Sequence, residues 1–380
     1  MYLQKVTSKK IVRKFLDFPD KIHKNNPNYI KALDQDIESV FDRNKNPLFE
    51  KGDCCRWLLF NENDEVIGRI AAFFIKEESP VGGIGFFECI DCQYAADFMF
   101  DHCKFWLKNN GLSTMDGPIN FGDRMKWWGL LIQGFQSPLY GMNYHPPYYQ
   151  KLFENYGFMT YFQQNCYSIE LKTKLPEKFY RIKNIISGNL SYQIRSFNKI
   201  HLEKFAKDFV TIYNKAWHKH DTNMILDEKE VIQTFRKMKS VVDKKTIWFA
   251  YYKDEPIGCW LNLPNLNDYF NQVNSSFGLP SILKFLWLKK YRPTKRLVGI
   301  VFGIVPEFQN KGIDAYLVVN ALETINSETN YEHYEVQWIG DFNPKMTNII
   351  QNMNGKTTRT LATYRYQFNS NEPFIPHKKF

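Results

Sequence analysis

The sequence lacks the features that would place a chain in a membrane or outside the cell. It has no apolar run as long as the ~18 residues that a membrane-spanning helix needs. The segment from Met1 to Lys5 lacks the apolar core of a secretion signal. The seven cysteines are an odd number scattered over 380 residues, which fits a reducing compartment better than a disulfide framework. We therefore expect a cytoplasmic protein.

The cysteines also give little support for a metal site. Cys89 and Cys92 lie at the end of a predicted strand, whereas His102 and Cys103 lie far along the following helix. Ligands placed in this way rarely converge on one zinc ion, and the apolar neighbours of His102 indicate a packed helix face. We interpret these residues as part of the fold and predict no metal.

Composition and length indicate a folded chain of more than one domain. The apolar content is 44% and the charged content 24%, and 380 residues are too many for one ordinary core. The net charge of +10 admits a nucleic-acid partner. Lys and Arg are spread along the chain without a recognised motif, however, so we expect no nucleic acid.

The chain contains two copies of one structural unit. A β-hairpin with an acidic turn and a Gly in the returning strand is predicted at 57–68 and again at 248–258. Near the end of each half an apolar helix follows a Pro and stops at Gly157 or Gly355. The repeated order of hairpin, strand, helix, strand, helix and final strand predicts two α/β domains, over residues 1–176 and 190–380.

A strand, a tight turn and a helix follow one another from residue 297 onward. The apolar run from Leu297 to Val305 predicts a buried strand, and apolar residues from Ile313 recur at helical spacing. The turn contains Gly312, so several backbone N–H groups and the positive end of the helix dipole can face one point. Such a point binds phosphate, although Gly and Asn are also common in ordinary turns.

The spacing of this turn resembles a known cofactor loop. Gln309-x-x-Gly312 is similar to the pyrophosphate loop of the Gcn5-related N-acetyltransferases (GNAT), whose pattern is Gln/Arg-x-x-Gly-x-Gly/Ala, with Asp314 at the last small position. The helix ending at Gly157 resembles the last helix of that fold, so the resemblance covers nearly the whole chain. Motifs such as Asp116-Gly117-Pro118 are similar to bacterial two-domain acyltransferase-like proteins, some of whose relatives resemble ceramide synthases that N-acylate a long-chain amine.

This resemblance implies an α/β (α+β) fold of two GNAT-like domains, each with a mixed, mostly antiparallel central sheet flanked by helices. It implies direct transfer of an acetyl or longer acyl group to a small-molecule or lipid-like amine. The cofactor would be acetyl-CoA or a longer acyl-CoA, an acidic molecule that suits the positive charge of the chain. Residues of the C-terminal domain would hold it: Ile304, Val305, Gln309, Asn310, Lys311, Gly312, Ile313, Asp314, Ala315 and Asn343.

The resemblance defines the catalytic residues less closely. In many family members a Tyr acts as the general acid, and it lies seven residues after the Asn that Asn343 resembles. This chain has Ile350 at that position. We take Glu335, on a predicted strand, as the candidate base, and Tyr316 or Tyr364 as the candidate acid.

The N-terminal half lacks an equivalent loop. The stretch from Cys89 to Gln93 contains no glycine, and Asp91 adds unfavourable charge, so we predict a degenerate cofactor loop. This domain would supply a wall of the acceptor site or only structural support. A long segment rich in Gly, Pro and aromatic residues predicts functional loops. In one interpretation, residues of this segment line a substrate cleft together with Trp338; these are Asp116, Asn120, Arg124, Trp127, His145, Tyr148 and Tyr149. In the other interpretation, the aromatic residues among them only fill the space between the domains.

The C-terminal half carries an insertion at 279–296 that the N-terminal half lacks. It contains six basic residues, no acidic residue, and apolar side chains that include Leu283 and Trp287. Such a helix lies on an anionic membrane surface or covers an apolar substrate, or it docks between the domains with solvated lysines. A peripheral contact with the inner membrane surface is therefore one of our expectations.

Three functions follow from these patterns. The first is an acyl-CoA-dependent N-acyltransferase with one working and one degenerate domain. The second is an aminoacyl-tRNA-dependent transferase of the tandem GNAT type, which would have no need of the loop at Gln309 to Gly312. The third is a non-catalytic protein that binds a ligand or partner, which Asp314 and Ile350 would favour. The sequence does not indicate an oligomeric state.

Overall fold

The computed structural model describes residues 1–76, 80–217, 225–369 and 373–378, and one sheet of 13 strands runs through both halves of the chain. Strands of the described residues are β1 (Tyr2–Lys5), β2 (Gly52–Phe60), β3 (Val66–Ile75), β4 (Val81–Cys89), β5 (Thr114–Gly117), β6 (Leu130–Gln133), β7 (Met159–Glu170), β8 (Tyr192–Ser196), β9 (Ile247–Tyr252), β10 (Glu255–Pro264), β11 (Arg296–Ile304), β12 (His333–Gly340) and β13 (Lys356–Gln367). Helices of the described residues are α1 (Lys9–Ile22), α2 (Asp34–Phe41), α3 (Gln93–Asn109), α4 (Tyr149–Tyr156), α5 (Glu177–Ser187), α6 (Leu202–Trp217), α7 (Glu228–Met238), α8 (Asn267–Phe270), α9 (Leu279–Tyr291), α10 (Ile313–Glu328) and α11 (Pro344–Asn352).

The sheet confirms the predicted fold class. Its order is β1-β2-β3-β4-β5-β13-β7-β12-β11-β10-β9-β8, with β6 beside β13. Among the described strand pairs, β4–β5 and β11–β12 are parallel, and the others are antiparallel. Each half therefore has a meander of antiparallel strands followed by one parallel strand, which is reached through a crossover helix.

The two halves exchange their last strands. β7 ends the N-terminal half but pairs with β12 of the C-terminal half, where Ile169 lies opposite Tyr334. β13 ends the C-terminal half but pairs with β5, where Arg365 lies opposite Asp116. β7 and β13 are both 12 residues long and pair with each other at the middle of the sheet. The limits 1–176 and 190–380 stay a prediction, and the strand exchange joins both units in one sheet.

Local geometry follows the turn chemistry of the repeat. Asp64 and Asp254 stand in the two acidic hairpin turns with φ of 60° and 65°, a left-handed conformation that Asp tolerates better than most residues. Gly157 ends α4 with φ of 106°. The predicted strand and helix around residues 297 to 325 are β11 and α10.

Helices cover the sheet and create two large apolar cores. The N-terminal core lies between the sheet, α3 and α4, and it includes Tyr364 from the exchanged strand β13. The C-terminal core lies between the sheet, α6 and α10, and it includes Ile169 from the exchanged strand β7. No helix in the described parts of the chain is long and apolar enough to cross a bilayer.

Candidate functional site

A wedge opens between two neighbouring strands of the C-terminal half. β11 and β12 pair from Arg296 opposite His333 as far as Gly299 opposite Val336. Beyond that point β11 stays with β10 up to Ile304, and β12 stays with β7 up to Gly340. Ile300 is 36% exposed although its strand is interior to the sheet. Residues 300–304 and 337–340 therefore present strand edges to each other that lack ladder partners on the facing side.

The loop at the head of this wedge has the shape of an anion site. After β11 the chain turns through Asn310 and Gly312, whose φ values are 59° and 78°, and enters α10. Gly312 caps α10 without a side-chain hydrogen bond, so the first N–H groups of the helix have no side-chain acceptor there. Gln309, Asn310 and Lys311 are exposed to solvent. The positive end of the helix dipole is thus available to an external anion.

Individual loop residues take different parts in this arrangement. The side-chain amide of Gln309 donates a hydrogen bond to the carbonyl of Ile304 at 3.0 Å, which fixes the loop to the end of β11. Lys311 places its ammonium 5.2 Å from the centre of the Phe308 ring. Asp314 is exposed in the first turn of α10, where a carboxylate is favoured by the helix dipole. The structure therefore gives Asp314 a helix-stabilising position beside the loop.

Some of the residues that were predicted to bind the cofactor have their side chains buried in the core. Ile304, Val305, Ile313 and Ala315 are all buried, so they would meet a cofactor through their backbone. Gly312 lies against Ile182 of α5, whose Cγ2 is 2.4 Å from the place where a Cβ on Gly312 would stand.

Asn343 lies just beyond the strand that bounds the other side of the wedge. Its backbone N–H donates to the carbonyl of Gly340 at 2.9 Å, and its side-chain oxygen accepts from the N–H of Met346 at 3.2 Å as the cap of α11. Ile350 is buried in the C-terminal core and packs under Gly355. The structure brings Asn343 to the wedge and leaves Ile350 as a packing residue.

The three candidate catalytic residues lie apart from one another. Glu335 is buried on the paired part of β12, with a carboxylate oxygen 3.8 Å from the guanidinium of Arg359. Tyr316 is buried in the C-terminal core on α10. Tyr364 lies in the N-terminal core, where its hydroxyl donates to Glu154 at 3.0 Å. Two strands separate β13 from β11, so Tyr364 does not lie at the wedge.

The equivalent wedge of the N-terminal half is filled by the chain itself. β4 and β5 separate after Gly83 opposite Asp116, as in the other half. The N–H of Ile119 then donates to the carbonyl of Ile84 at 2.7 Å, and the Ile119 carbonyl oxygen stands 1.9 Å from the position of a Cβ on Gly85. These contacts leave no space for a cofactor arm between the strands. The residues of this half therefore do not fit an acyl-CoA.

A buried polar cluster takes the place of that wedge. Glu88 on β4 accepts a hydrogen bond from the Tyr149 hydroxyl at 2.7 Å, and it lies 3.5 Å from both His23 and Arg69. His145 lies nearby, and its Nδ1 accepts from the N–H of Leu131 at 3.2 Å. Glu88, Arg69 and His145 line a cavity of about 50 Å³ together with Trp127. The cavity is large enough for one or two water molecules.

Burial and neighbouring charges together set the protonation of Glu88 and His145. Burial acts to raise the pKa of Glu88, but His23 and Arg69 outweigh it and hold the pKa below the usual range of a glutamate. Burial lowers the pKa of His145 to about 4, because the imidazolium would lose its hydration; the Glu88 carboxylate acts to raise this pKa but does not outweigh burial. Glu88 is therefore a carboxylate and His145 a neutral imidazole at pH 7.

The remaining residues of the predicted substrate cleft form ion pairs, ring contacts and hydrogen bonds at separate places in the N-terminal half. Asp116 is held by Arg365, and the guanidinium of Arg124 lies 5.2 Å from the centre of the Trp128 ring. Asn120 is 3% exposed within the segment that fills the N-terminal wedge. Tyr148 donates to the carbonyl of Cys89 at 2.7 Å. The structure does not gather these residues into one cleft.

Trp338 faces the junction between the halves. It packs with Phe135 and Met142 around the buried side chain of Leu131. The neighbouring Gln337 donates to the carbonyl of Tyr140 at 3.3 Å. The loop of residues 134–143 from the N-terminal half therefore covers one side of β12 next to the wedge.

Sequence reasoning named His145 and Tyr149 but missed Glu88, Arg69 and His23. Arg69 and Glu88 are single charges within otherwise apolar strands, and a charge in such a run indicates a buried ion pair. His23 lies at the end of α1 and carries no comparable signal. Its approach to Glu88 depends on how α1 packs on the sheet.

Comparison with solved structures identifies the fold of the chain. A tandem GNAT protein from the clavulanic acid biosynthesis pathway superimposes with a TM-score of 0.56 at 9% identity, over 98% of this chain and 100% of that one. The chain has a tandem GNAT fold. A GCN5-related N-acetyltransferase from Sphaerobacter thermophilus gives a TM-score of 0.51 at 8% identity, over 99% of this chain and 97% of that one. The resemblance predicted from the sequence is thereby confirmed.

Two curated proteins are similar to this chain over most of its length. Bacterial ceramide synthase from Caulobacter vibrioides is 23% identical over 365 residues, which are 93% of this chain and 94% of that protein. Protein YghO from Escherichia coli strain K12 is 23% identical over 383 residues, which are 95% of this chain and 94% of that protein. No protein-family model matches the chain.

Proposed function

We propose that this protein is an acyl-CoA-dependent N-acyltransferase whose cofactor binds in the wedge of the C-terminal half. One observation carries the proposal: the strands separate beside an uncapped helix N-terminus in the C-terminal half, whereas the N-terminal wedge is filled. A cofactor with a long amide arm and a pyrophosphate needs both features next to each other.

The residues at the wedge suit the parts of such a cofactor. The N–H groups of Gly312 and the first turn of α10 would hold the pyrophosphate, and Lys311 would add a positive charge. The free edge of β11 at residues 300–304 would bind the amides of the pantetheine arm, as an added strand does. The bound cofactor supplies an acyl group activated as a thioester. The same strand edge would donate N–H groups to polarise that carbonyl.

We propose an amine with a long alkyl chain as the acceptor class. This proposal rests on the similarity to bacterial ceramide synthase over 93% of the chain, together with the GNAT fold. The amine must lose its proton before it attacks a thioester, so a base or a water molecule has to reach the wedge. Glu335 stays a predicted base, and one of its carboxylate oxygens lies 3.8 Å from the guanidinium of Arg359.

Calorimetry with CoA, acetyl-CoA and a long-chain acyl-CoA tests the cofactor site. We expect micromolar binding, and a loss of about tenfold for Lys311→Glu, because charge near a phosphate is worth about 1 to 2 kcal/mol. Lys108→Glu is the matched control, since Lys108 is exposed on α3 of the other half. No heat from any of the three ligands would refute the acyl-CoA proposal, and binding of aminoacyl-tRNA instead would favour the tRNA-dependent alternative.

Product analysis tests the reaction separately. The protein is incubated with the acyl-CoA that binds best and with either a long-chain or a short-chain primary amine, and the amide is measured by mass spectrometry. We expect amide from the long-chain amine. Amide from the short amine alone would refute the acceptor class, and cofactor binding without any amide would indicate a non-catalytic protein.

A further inference from the structure

Helix α9 has apolar side chains on all faces but is covered on only one of them. Ser281, Phe285 and Leu288 are buried and follow one another at helical spacing. They pack on Tyr269, Phe270 and Phe277, and on Leu33 of the N-terminal half. One side of α9 is therefore docked at the junction of the halves, as one sequence prediction required.

The opposite side of α9 carries large apolar side chains into solvent. Those exposed by half or more are Leu279 (76%), Leu283 (68%), Trp287 (50%) and Tyr291 (59%), and Ile282 (37%) and Leu286 (46%) lie beside them. Other exposed apolar side chains of the described residues, such as Leu190 and Ile200, are scattered over the molecule. A patch concentrated in this way on a single helix marks an interaction site.

Positive charge borders the apolar patch. Lys284 lies on one flank of the outward side, and Lys289 lies on the other, where its ammonium donates a hydrogen bond to the carbonyl of Ser240. Lys290 and Arg292 are exposed near its C-terminal end. The insertion 279–296 contains no acidic residue. Lysine stems can lie along an apolar surface while their ammonium groups reach outward to anions.

We propose that α9 lies flat on an anionic phospholipid bilayer. Its Leu and Trp side chains enter the boundary between headgroups and acyl chains, and its basic residues contact lipid phosphates. Thirteen residues of helix are about 20 Å long, which suits a helix lying in the plane of the surface and is too short to cross it. This surface is distinct from the wedge and does not depend on the proposed reaction.

Charge distinguishes a bilayer from a second copy of the chain. Two copies meeting through α9 would bring Lys284, Lys290 and Arg292 of both copies together, with no acidic residue of either insertion to pair with them. Lys295 and Arg296 already pair with Glu332 and Asp268 of the same chain. An anionic bilayer complements the same charges. The apolar side chains then lose contact with water, while Lys284, Lys290 and Arg292 gain lipid phosphates as partners.

A polar cleft lies beside α9. The segment shortly before α9, residues 270–276, forms one wall of this cleft of about 630 Å³. The other wall comes from the N-terminal half and consists of Arg13, Asp17, Asp20, Tyr29 and Lys31. A helix lying on lipid would hold this cleft next to the headgroups.

Vesicle flotation with the full chain tests the proposal. The vesicles are phosphatidylcholine alone, or phosphatidylcholine with about 30% phosphatidylglycerol, at about 0.1 M and 0.5 M salt. We expect binding to the anionic vesicles, little binding to phosphatidylcholine, and weaker binding at high salt. We expect the double variants Leu283→Ser/Trp287→Ser and Lys284→Gln/Lys290→Gln to bind about tenfold more weakly or worse.

The double variant Leu190→Ser/Ile200→Ser is the matched control, because both side chains are more than 80% exposed elsewhere. It should bind as the unchanged protein does, and all variants should keep the same circular dichroism spectrum. Failure of the protein to float with anionic vesicles would overturn the proposal. Equal binding to both vesicle types would overturn the choice of an anionic partner. A dimer that Leu283→Ser/Trp287→Ser dissociates, without any vesicle binding, would assign α9 to self-association.

Discussion

Arg365 donates two parallel hydrogen bonds to Asp116, at 2.7 and 2.8 Å, across 249 residues of sequence. The two residues lie opposite each other on β13 and β5, so the last strand of the chain is tied to the N-terminal half at this point. The guanidinium also lies 3.6 Å from the centre of the Tyr161 ring. This ion pair joins the exchanged strand to its host and is largely shielded from water.

Removal of Arg365 should destabilise the whole sheet. We expect Arg365→Met to lower the free energy of unfolding by about 2 kcal/mol, because it leaves a mostly buried carboxylate without its partner. Urea denaturation followed by circular dichroism measures the loss. Lys356→Met is the control, since its ion pair with Glu170 is exposed and should contribute less than about 0.5 kcal/mol. Equal losses in both variants would contradict the structural role of the pair.

The hydroxyl of Tyr149 should stabilise the buried cluster around Glu88. It donates to Glu88 at 2.7 Å and accepts from the N–H of Cys89 at 2.8 Å, so Tyr149→Phe leaves two buried groups unsatisfied. We expect a loss of about 2 kcal/mol in the free energy of unfolding. Tyr156→Phe, which removes an exposed bond to Asp101, should cost less than about 1 kcal/mol. A neutral Tyr149→Phe would show that water replaces the hydroxyl.

His145 should make the protein less stable as the pH falls below neutrality. The pKa of its imidazole is lowered from 6.5 to about 4 in the folded chain. Between these values the unfolded chain binds a proton that the folded chain does not, so unfolding becomes easier as the pH drops through this window. At pH 5 this contribution is about 2 kcal/mol relative to pH 8.

Urea denaturation at several pH values measures this effect. His145→Asn keeps an acceptor for the Leu131 N–H and should remove that part of the pH dependence, whereas exposed His201→Asn should leave the dependence unchanged. An unchanged slope in His145→Asn would show that another group is responsible.

Gly312 should be required by the packing of α5 as well as by the turn. Its φ is 78°, and a Cβ there would stand 2.4 Å from Ile182. We expect Gly312→Ala to cost about 2 to 3 kcal/mol, of which about 1 kcal/mol is left-handed strain. Gly111→Ala isolates that strain, because Gly111 has φ of 83° and no heavy atom within 4 Å of the added methyl group.

The double variant Gly312→Ala/Ile182→Ala separates packing from backbone strain. Its loss should be smaller than the sum of the two single losses, because the truncated Ile182 no longer meets the added methyl group. Strict additivity, measured by the same urea denaturation, would show that the two residues are not in contact in solution.

Much of the local structure was predictable from the sequence. The acidic turns at Asp64 and Asp254, the Gly stop of α4, and the strand, turn and helix around Gly312 all appear where turn chemistry and periodicity predict them. The repetition of these signals predicted two α/β units, and the resemblance of Gln309-x-x-Gly312 to the GNAT cofactor loop implied the tandem GNAT fold. Each of them depends on residues that are neighbours in sequence, which is why one sequence was enough.

The candidate site was predictable only in part. The turn at Gln309 to Gly312 and Asn343 lie at the wedge, whereas Glu335, Tyr316 and Tyr364 are separated by strands and helices. The roles of all these residues stay predictions. A residue on β13 was taken for part of the C-terminal half because the strand exchange has no local signature. The cluster of Glu88, Arg69 and His23 was missed because His23 reaches Glu88 only through the packing of α1 on the sheet.

The sequence by itself determined two repeated α/β units and one glycine turn at the start of a helix. Only the tertiary structure decided that β7 and β13 change places, that residues 118–121 fill the N-terminal wedge, and that one side of α9 stays uncovered. Helices and turns are set by the conformational preferences of adjacent residues. Strand partners, filled wedges and exposed faces depend on hydrogen bonds and apolar contacts between segments that are far apart in sequence. These contacts are fixed only when the whole chain packs.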